Sequence, residues 1–141
     1  MAEISLSELD PRLLKQVENA EKAIVQGNCS YATEICMGIL QRTPTCTDVR
    51  KIMRKAQRKL AQTKKGGSIF SKLGSMPAAM KAAKLGKKDA KAGLEAAEKI
   101  LNEDPNCIKA LEVVADCASA MEMPNAAVNA SETIHQIKPA D

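Results

Sequence analysis

One histidine, five cysteines and a long run of cations are the residues of this chain best equipped for chemistry. His135 stands mid-helix beside Ile134, with no obvious partner near it in sequence. General acid–base work needs several groups brought together in a dry cleft, and a lone histidine does not supply them. Cys29, Cys36, Cys46, Cys107 and Cys117 are an odd number for a disulfide framework, and no two form a Cys-x-x-Cys pair. The usual structural zinc signature is therefore missing. The cysteines are expected as small buried thiols of a reducing, cytoplasmic protein. Lys64-Lys65-Gly66-Gly67-Ser68 holds two glycines without the Gly-x4-Gly-Lys-Ser/Thr spacing that cradles a phosphate. No catalysis, cofactor or metal is expected.

The cations are distributed more tellingly. The 141 residues carry a net charge of +4, but residues 1–48 hold −3, residues 49–91 hold +13 and residues 92–141 hold −6. Segregation on this scale points to an interaction surface. Arg50, Lys51, Arg54, Lys55, Arg58 and Lys59 lie opposite an apolar stripe of Val49, Ile52, Met53, Ala56 and Leu60. Together these six cations are the expected binding surface for an acidic peptide or protein. Downstream, Lys64, Lys65, Lys72, Lys81, Lys84, Lys87 and Lys88 are interleaved with Ile69, Phe70, Leu73, Met76 and Met80. Such a mixture suits an anionic membrane surface. Alternatively, Ile69, Phe70, Lys72 and Leu73 fold back to pack over an otherwise uncovered helix. Non-specific nucleic-acid binding is electrostatically possible, but no helix-turn-helix, zinc or aromatic signature supports it.

The elements that must position these residues are helices. Apolar residues make up 45% of the chain, enough for a core, while aromatics are nearly absent: Tyr31, Phe70 and no Trp. That composition disfavours a β-sandwich or barrel and favours the strong helix formers that dominate here. No apolar run is long enough to span a membrane, and the first ten residues lack a secretory signal. Asp10-Pro11 opens a helix that Gly27 ends. A second runs from about Ser30 to before Pro44, and a third spans 47–62. An irregular basic connection follows over 63–76, with Pro77 starting a short helix that stops by Gly86. Asp89 caps the next, which ends before Pro105. The last two span about 107–121 and 123–138, giving about seven antiparallel helices in a single domain over 1–141.

Three of these helices share a frame. Ala32, Cys36, Ile39 and Pro44 are spaced as are Gly93, Ala97, Ile100 and Pro105, and again as Ala127, Ser131, Ile134 and Pro139. Pro105 and Pro139 are 34 residues apart. This pattern resembles the tetratricopeptide repeat, a 34-residue helix-turn-helix unit whose second helix carries small or apolar residues at these positions and ends in proline. Units over 12–44, 75–105 and 106–139 fit it, with Leu111, Val114, Ala115 and Ala118 in the first-helix frame of the last unit.

The resemblance implies an α-solenoid in which each unit buries its apolar face on a neighbour. It also implies that Lys51, Lys55 and Arg58 face a concave groove that clamps extended peptides. The expected function is a non-catalytic scaffold or adaptor that binds an acidic protein. A peripheral membrane adaptor using 64–88 is the alternative. Self-association through the uncapped C-terminal helix pair is a further expectation, since solenoids usually close on a polar helix.

Overall fold

A computed structural model describes residues 2–63 and 69–139, the first six of the latter stretch as backbone only. The described residues form seven α-helices: α1 (Pro11–Val25), α2 (Cys29–Arg42), α3 (Thr47–Thr63), α4 (Ile69–Lys88), α5 (Ala90–Glu103), α6 (Ile108–Ala120) and α7 (Pro124–Ile137). A short 3-10 turn over Leu6–Glu8 precedes them. The only extended pairing among the described residues is an isolated bridge between Ile4 and Cys46.

Local chemistry explains the boundaries. Asp10 accepts from the Arg12 backbone N–H and Pro11 occupies the first turn of α1, satisfying one orphan donor and removing another. At the other end Gly27 takes φ +83°. Asn28 N–H then reaches the Ala23 carbonyl at 2.8 Å, and Gly27 N–H the Ile24 carbonyl at 3.0 Å, the paired bonds of a Schellman cap. The α6–α7 turn repeats this construction: Met123 N–H bonds Ala118 O at 2.8 Å and Glu122 N–H bonds Ser119 O at 3.0 Å. There a glutamate, Glu122, adopts φ 60°.

The three helices that precede Pro44, Pro105 and Pro139 also end alike. Thr43, Asp104 and Lys138 have φ/ψ of −134/76°, −130/83° and −134/86°, because a following proline drives its predecessor out of the helical region. Each still donates its N–H to the carbonyl four residues back, at 2.7–2.8 Å.

The middle of the chain departs from the sequence-based expectation. Residues 69–88 form one helix with Pro77 inside it, in place of an irregular connection and a short helix starting at Pro77. Proline removes one helical hydrogen bond and is usually a boundary. Here Ala79 and Ala82, both buried, pack on the α5–α6 side and hold the helix through that defect. Residues 64–68 of the connection expected over 63–76 lie outside the described residues.

Two apolar cores result. Leu13, Val17, Ile24, Cys36, Ile39, Leu40, Val49 and Met53 anchor the first, within α1–α3. Leu94, Leu101, Leu111, Val114, Met121 and Met123 anchor the second, within α4–α7. All five thiols are buried, Cys29, Cys36 and Cys46 in the first core and Cys107 and Cys117 in the second. No helix among the described residues is long and apolar enough to cross a membrane.

Candidate functional site

Hydrogen bonds and ion pairs that join the two cores are built on α3. At 100° per residue, positions 49, 53, 56 and 60 fall on one side of that helix, 50, 54, 57 and 58 on a second, and 51, 55 and 59 on a third. The first sector fills the N-terminal core with Val49, Met53 and Ala56, flanked by the partly buried Leu60. Arg50 and Arg54, each 3% exposed, and the buried Gln57 form the second, together with the half-buried Arg58. Lys51, Lys55 and Lys59 occupy the third and are exposed.

The second sector faces α5. Glu98 is 1% exposed and accepts two bonds from Arg54, Nη1 to Oε1 at 2.7 Å and Nη2 to Oε2 at 3.2 Å. Arg50 Nε lies 3.3 Å from Glu98 Oε2, and Arg50 Nη1 donates to the Pro44 carbonyl. Gln57 accepts from Arg54 at 2.9 Å and donates to Asn102 at 2.8 Å. Arg58 donates to the Pro105 carbonyl at 3.1 Å and to Asn106 Oδ1 at 2.6 Å. Burial lowers the pKa of Arg50, with Glu98 opposing the shift. It also lowers that of Arg58, where neighbouring Arg54 adds to the effect. Both remain guanidinium ions at any ordinary pH.

A second polar tie crosses the molecule at its N-terminal segment. Glu3 accepts from the Thr47 hydroxyl. The same carboxylate accepts from the backbone N–H groups of Asn125 and Ala126 at 2.9 and 3.1 Å. It therefore caps α7, where the helix dipole favours an anion. Ile4 N–H bonds the Thr45 carbonyl at 3.1 Å, and Leu6 N–H bonds Asp48 Oδ2 at 3.1 Å.

The expectation of six cations on one ligand-binding surface is thus amended. Arg50 and Arg54 meet their carboxylate inside the chain, and Arg58 is engaged by the α5–α6 corner. The division follows from the side chains themselves. A guanidinium is planar, weakly hydrated and able to bind a carboxylate with two parallel bonds, whereas an ammonium is compact and strongly hydrated. Of the expected site, Lys51, Lys55 and Lys59 keep free access to solvent. Lys51 and Lys55 border a groove of about 380 Å³ between α1 and α3, together with Leu6, Glu21, Ile24, Val25, Asp48 and Ile52. The side chains of Ile69, Phe70, Lys72 and Leu73 lie outside the described residues.

Glu98, Gln57, Asn102 and Asn106 escaped the sequence-based selection. A signal for Glu98 was present: Leu94, Ala97, Glu98 and Leu101 share one buried stripe, and a carboxylate in that register needs a cation.

Three of the five thiols are shifted against the thiolate form. Burial raises the Cys36 thiol to about 12, with Glu21 and Glu98 adding to the effect. Burial likewise raises Cys46 and Cys117. Activated cysteines are shifted the other way. His135 is exposed. Among the described residues no group of three or more His, Cys, Asp or Glu side chains could hold a metal ion. No protein-family model, curated protein or solved structure matches the chain.

Proposed function

We propose that this protein is a non-catalytic interaction scaffold, a degenerate tetratricopeptide-like α-solenoid that receives an acidic peptide along the exposed lysines of α3. The observation that carries the proposal is the separation of arginine from lysine on that helix. The arginines lock α3 to α5, which fixes the helix rigidly. Lys51, Lys55 and Lys59 are left as an unpaired exposed row, spaced one turn apart. The groove beside Lys51 and Lys55 offers Ile24 and Ile52 as apolar contacts, with Val25 at its open edge. Of its two carboxylates, Asp48 is already held by the Leu6 N–H, while Glu21 lines the α1 side. The favoured ligand is therefore an extended segment that sets its acidic residues on the lysine row and an aliphatic one in the groove. Three pre-proline helix ends of matching backbone angle and two matching Schellman turns support the repeat reading. Five buried thiols support a reducing, cytoplasmic setting.

The test is a peptide array of acidic sequences with and without one aliphatic residue, probed with wild-type protein and with Lys51→Glu/Lys55→Glu. The wild type should retain acidic–aliphatic peptides and the double variant should release them. Equal retention by both proteins would remove α3 as the binding surface.

A further inference from the structure

Over residues 75–88, where its side chains are described, helix α4 buries small residues and displays large ones. Ala79 and Ala82 are the buried side chains of that stretch. Gly86 sits so close to its neighbours that a Cβ there would lie 2.6 Å from Cys117 Sγ. With an inner face this flat, the longer side chains remain outside: Met76 is 44% exposed, Met80 52% and Leu85 41%. They are three of the six large hydrophobic residues exposed among the described residues. The other exposed positions over 76–88 are Pro77, Ala78, Lys81, Lys84, Lys87 and Lys88. None is acidic and none is an amide.

An ordinary solvated helix looks different. The exposed face of α1 mixes Arg12, Lys15 and Lys22 with Glu18, Glu21, Gln16 and Asn19. Over residues 76–88 of α4 the exposed cations share their own helix face only with one another and apolar residues. The nearby carboxylates are Asp89, at the helix end, and Asp116 of α6, across a cavity from Lys87. Four exposed lysines with so few counter-charges repel one another, and an anionic, partly apolar surface relieves that repulsion. One stripe, residues 76, 80, 84 and 87, passes along the helix from methionine to lysine. Lys81 and Lys88 lie on its shoulder.

We infer that this face of α4 docks on an anionic lipid surface. Met76 and Met80 enter the boundary between headgroups and acyl chains, and Lys81, Lys84, Lys87 and Lys88 bind lipid phosphate and carboxylate groups. Lysine stems can lie along the apolar boundary while their ammonium heads stay among the headgroups. Composition favours a lipid surface over an acidic peptide, because the face pairs exposed methionines at one end with four lysines at the other, which suit an acyl boundary and anionic headgroups together. The cavity of about 490 Å³ beside Lys87 is also lined by Asp116 and Lys109, and that carboxylate disfavours an acidic strand there. This inference is independent of the α3 lysines.

Flotation of the full chain with vesicles of phosphatidylcholine, with and without phosphatidylserine, tests it. The protein should float with the serine-lipid vesicles alone, and added salt should release it. A lysine near such a surface is worth about fivefold in affinity, so Lys84→Gln/Lys88→Gln should weaken binding about 25-fold. Met76→Ser/Met80→Ser should weaken it further, while Lys51→Gln/Lys55→Gln should leave it unchanged. Thermal melts of the free variants establish that each is folded. Flotation indifferent to serine lipid, no flotation at all, or equal loss in the α3 variant would overturn the inference. So would self-association abolished by the α4 substitutions, since that result would assign the face to a second copy of the chain.

Discussion

Helices α3 and α4 both belong to the +13 segment, yet they use their cations in opposite ways. On α3 the arginines turn inward, where Glu98 and the α5–α6 corner hold them, and lysines are left on the surface. Among the described side chains of α4, residues 75–88, nothing charged turns inward; alanine and glycine make the contact, and each of the four lysines is exposed. The contrast teaches that a run of positive charge is not a surface. What decides is whether the neighbouring helix offers a carboxylate and carbonyls, as α5 does to α3, or a smooth small-residue face, as α5 and α6 do to α4.

The comparison can be broken most forcefully at Glu98. Glu98→Ala leaves two buried guanidinium groups without their carboxylate and should lower stability by about 3–5 kcal/mol, measured by urea unfolding. A loss below about 1 kcal/mol would mean that the arginines reach water and the α3–α5 seam is not a buried one.

On the α4 side the sensitive point is a methyl group. In Gly93→Ala the new Cβ would lie 2.4 Å from the Gly86 Cα, backbone that cannot step aside. A loss of about 1–3 kcal/mol is expected. A neutral substitution would show that α4 and α5 are not pressed together there.

Alkaline pH probes the first core, which α3 helps to fill, through the Cys36 thiol. Cys36 is raised from 9.0 to about 12, so above pH 9 the folded chain keeps a proton that the unfolded chain releases. Its contribution to stability is complete below pH 9 and declines by about 1.4 kcal/mol per pH unit as the pH rises towards 12. Urea midpoints taken from pH 9 upward should fall more gently in Cys36→Ala than in the wild type. Identical slopes would rule out Cys36 as the source.

The smallest effect is expected where the two helices are alike. Lys55→Ala on α3 and Lys84→Ala on α4 should each change stability by less than about 0.5 kcal/mol. A larger loss at either position would reveal a structural partner for that lysine.

Local signals made much of the fold legible. Asp10-Pro11, Gly27 and Asp89 set helix limits through their own backbone chemistry, and the apolar spacing placed Leu13, Val17, Met53 and Leu111 in the cores. Pro77 misled because the same local logic makes proline a boundary, while the packing of Ala79 and Ala82 that overrides it comes from residues distant in sequence. The candidate site was legible only in part. Positions 50, 54 and 58 and positions 51, 55 and 59 have the same spacing and sign, so periodicity cannot separate them. Only the position of α5 gives one row an internal carboxylate. The arginine–lysine alternation was the available clue, since guanidinium tolerates burial in an ion pair better than ammonium does.

The Glu3 clasp has a consequence for the order of assembly. It joins residues 122 positions apart in sequence, among the longest-range bonds in the fold. Closing so large a loop is favourable only once intervening helices have shortened it. During synthesis the first core can gather as soon as α3 emerges, but its N-terminal strap must wait for α7. Until then Glu3 and Thr47 stay without the helix end that they secure, and α7 completes the seat of a segment made more than a hundred residues earlier.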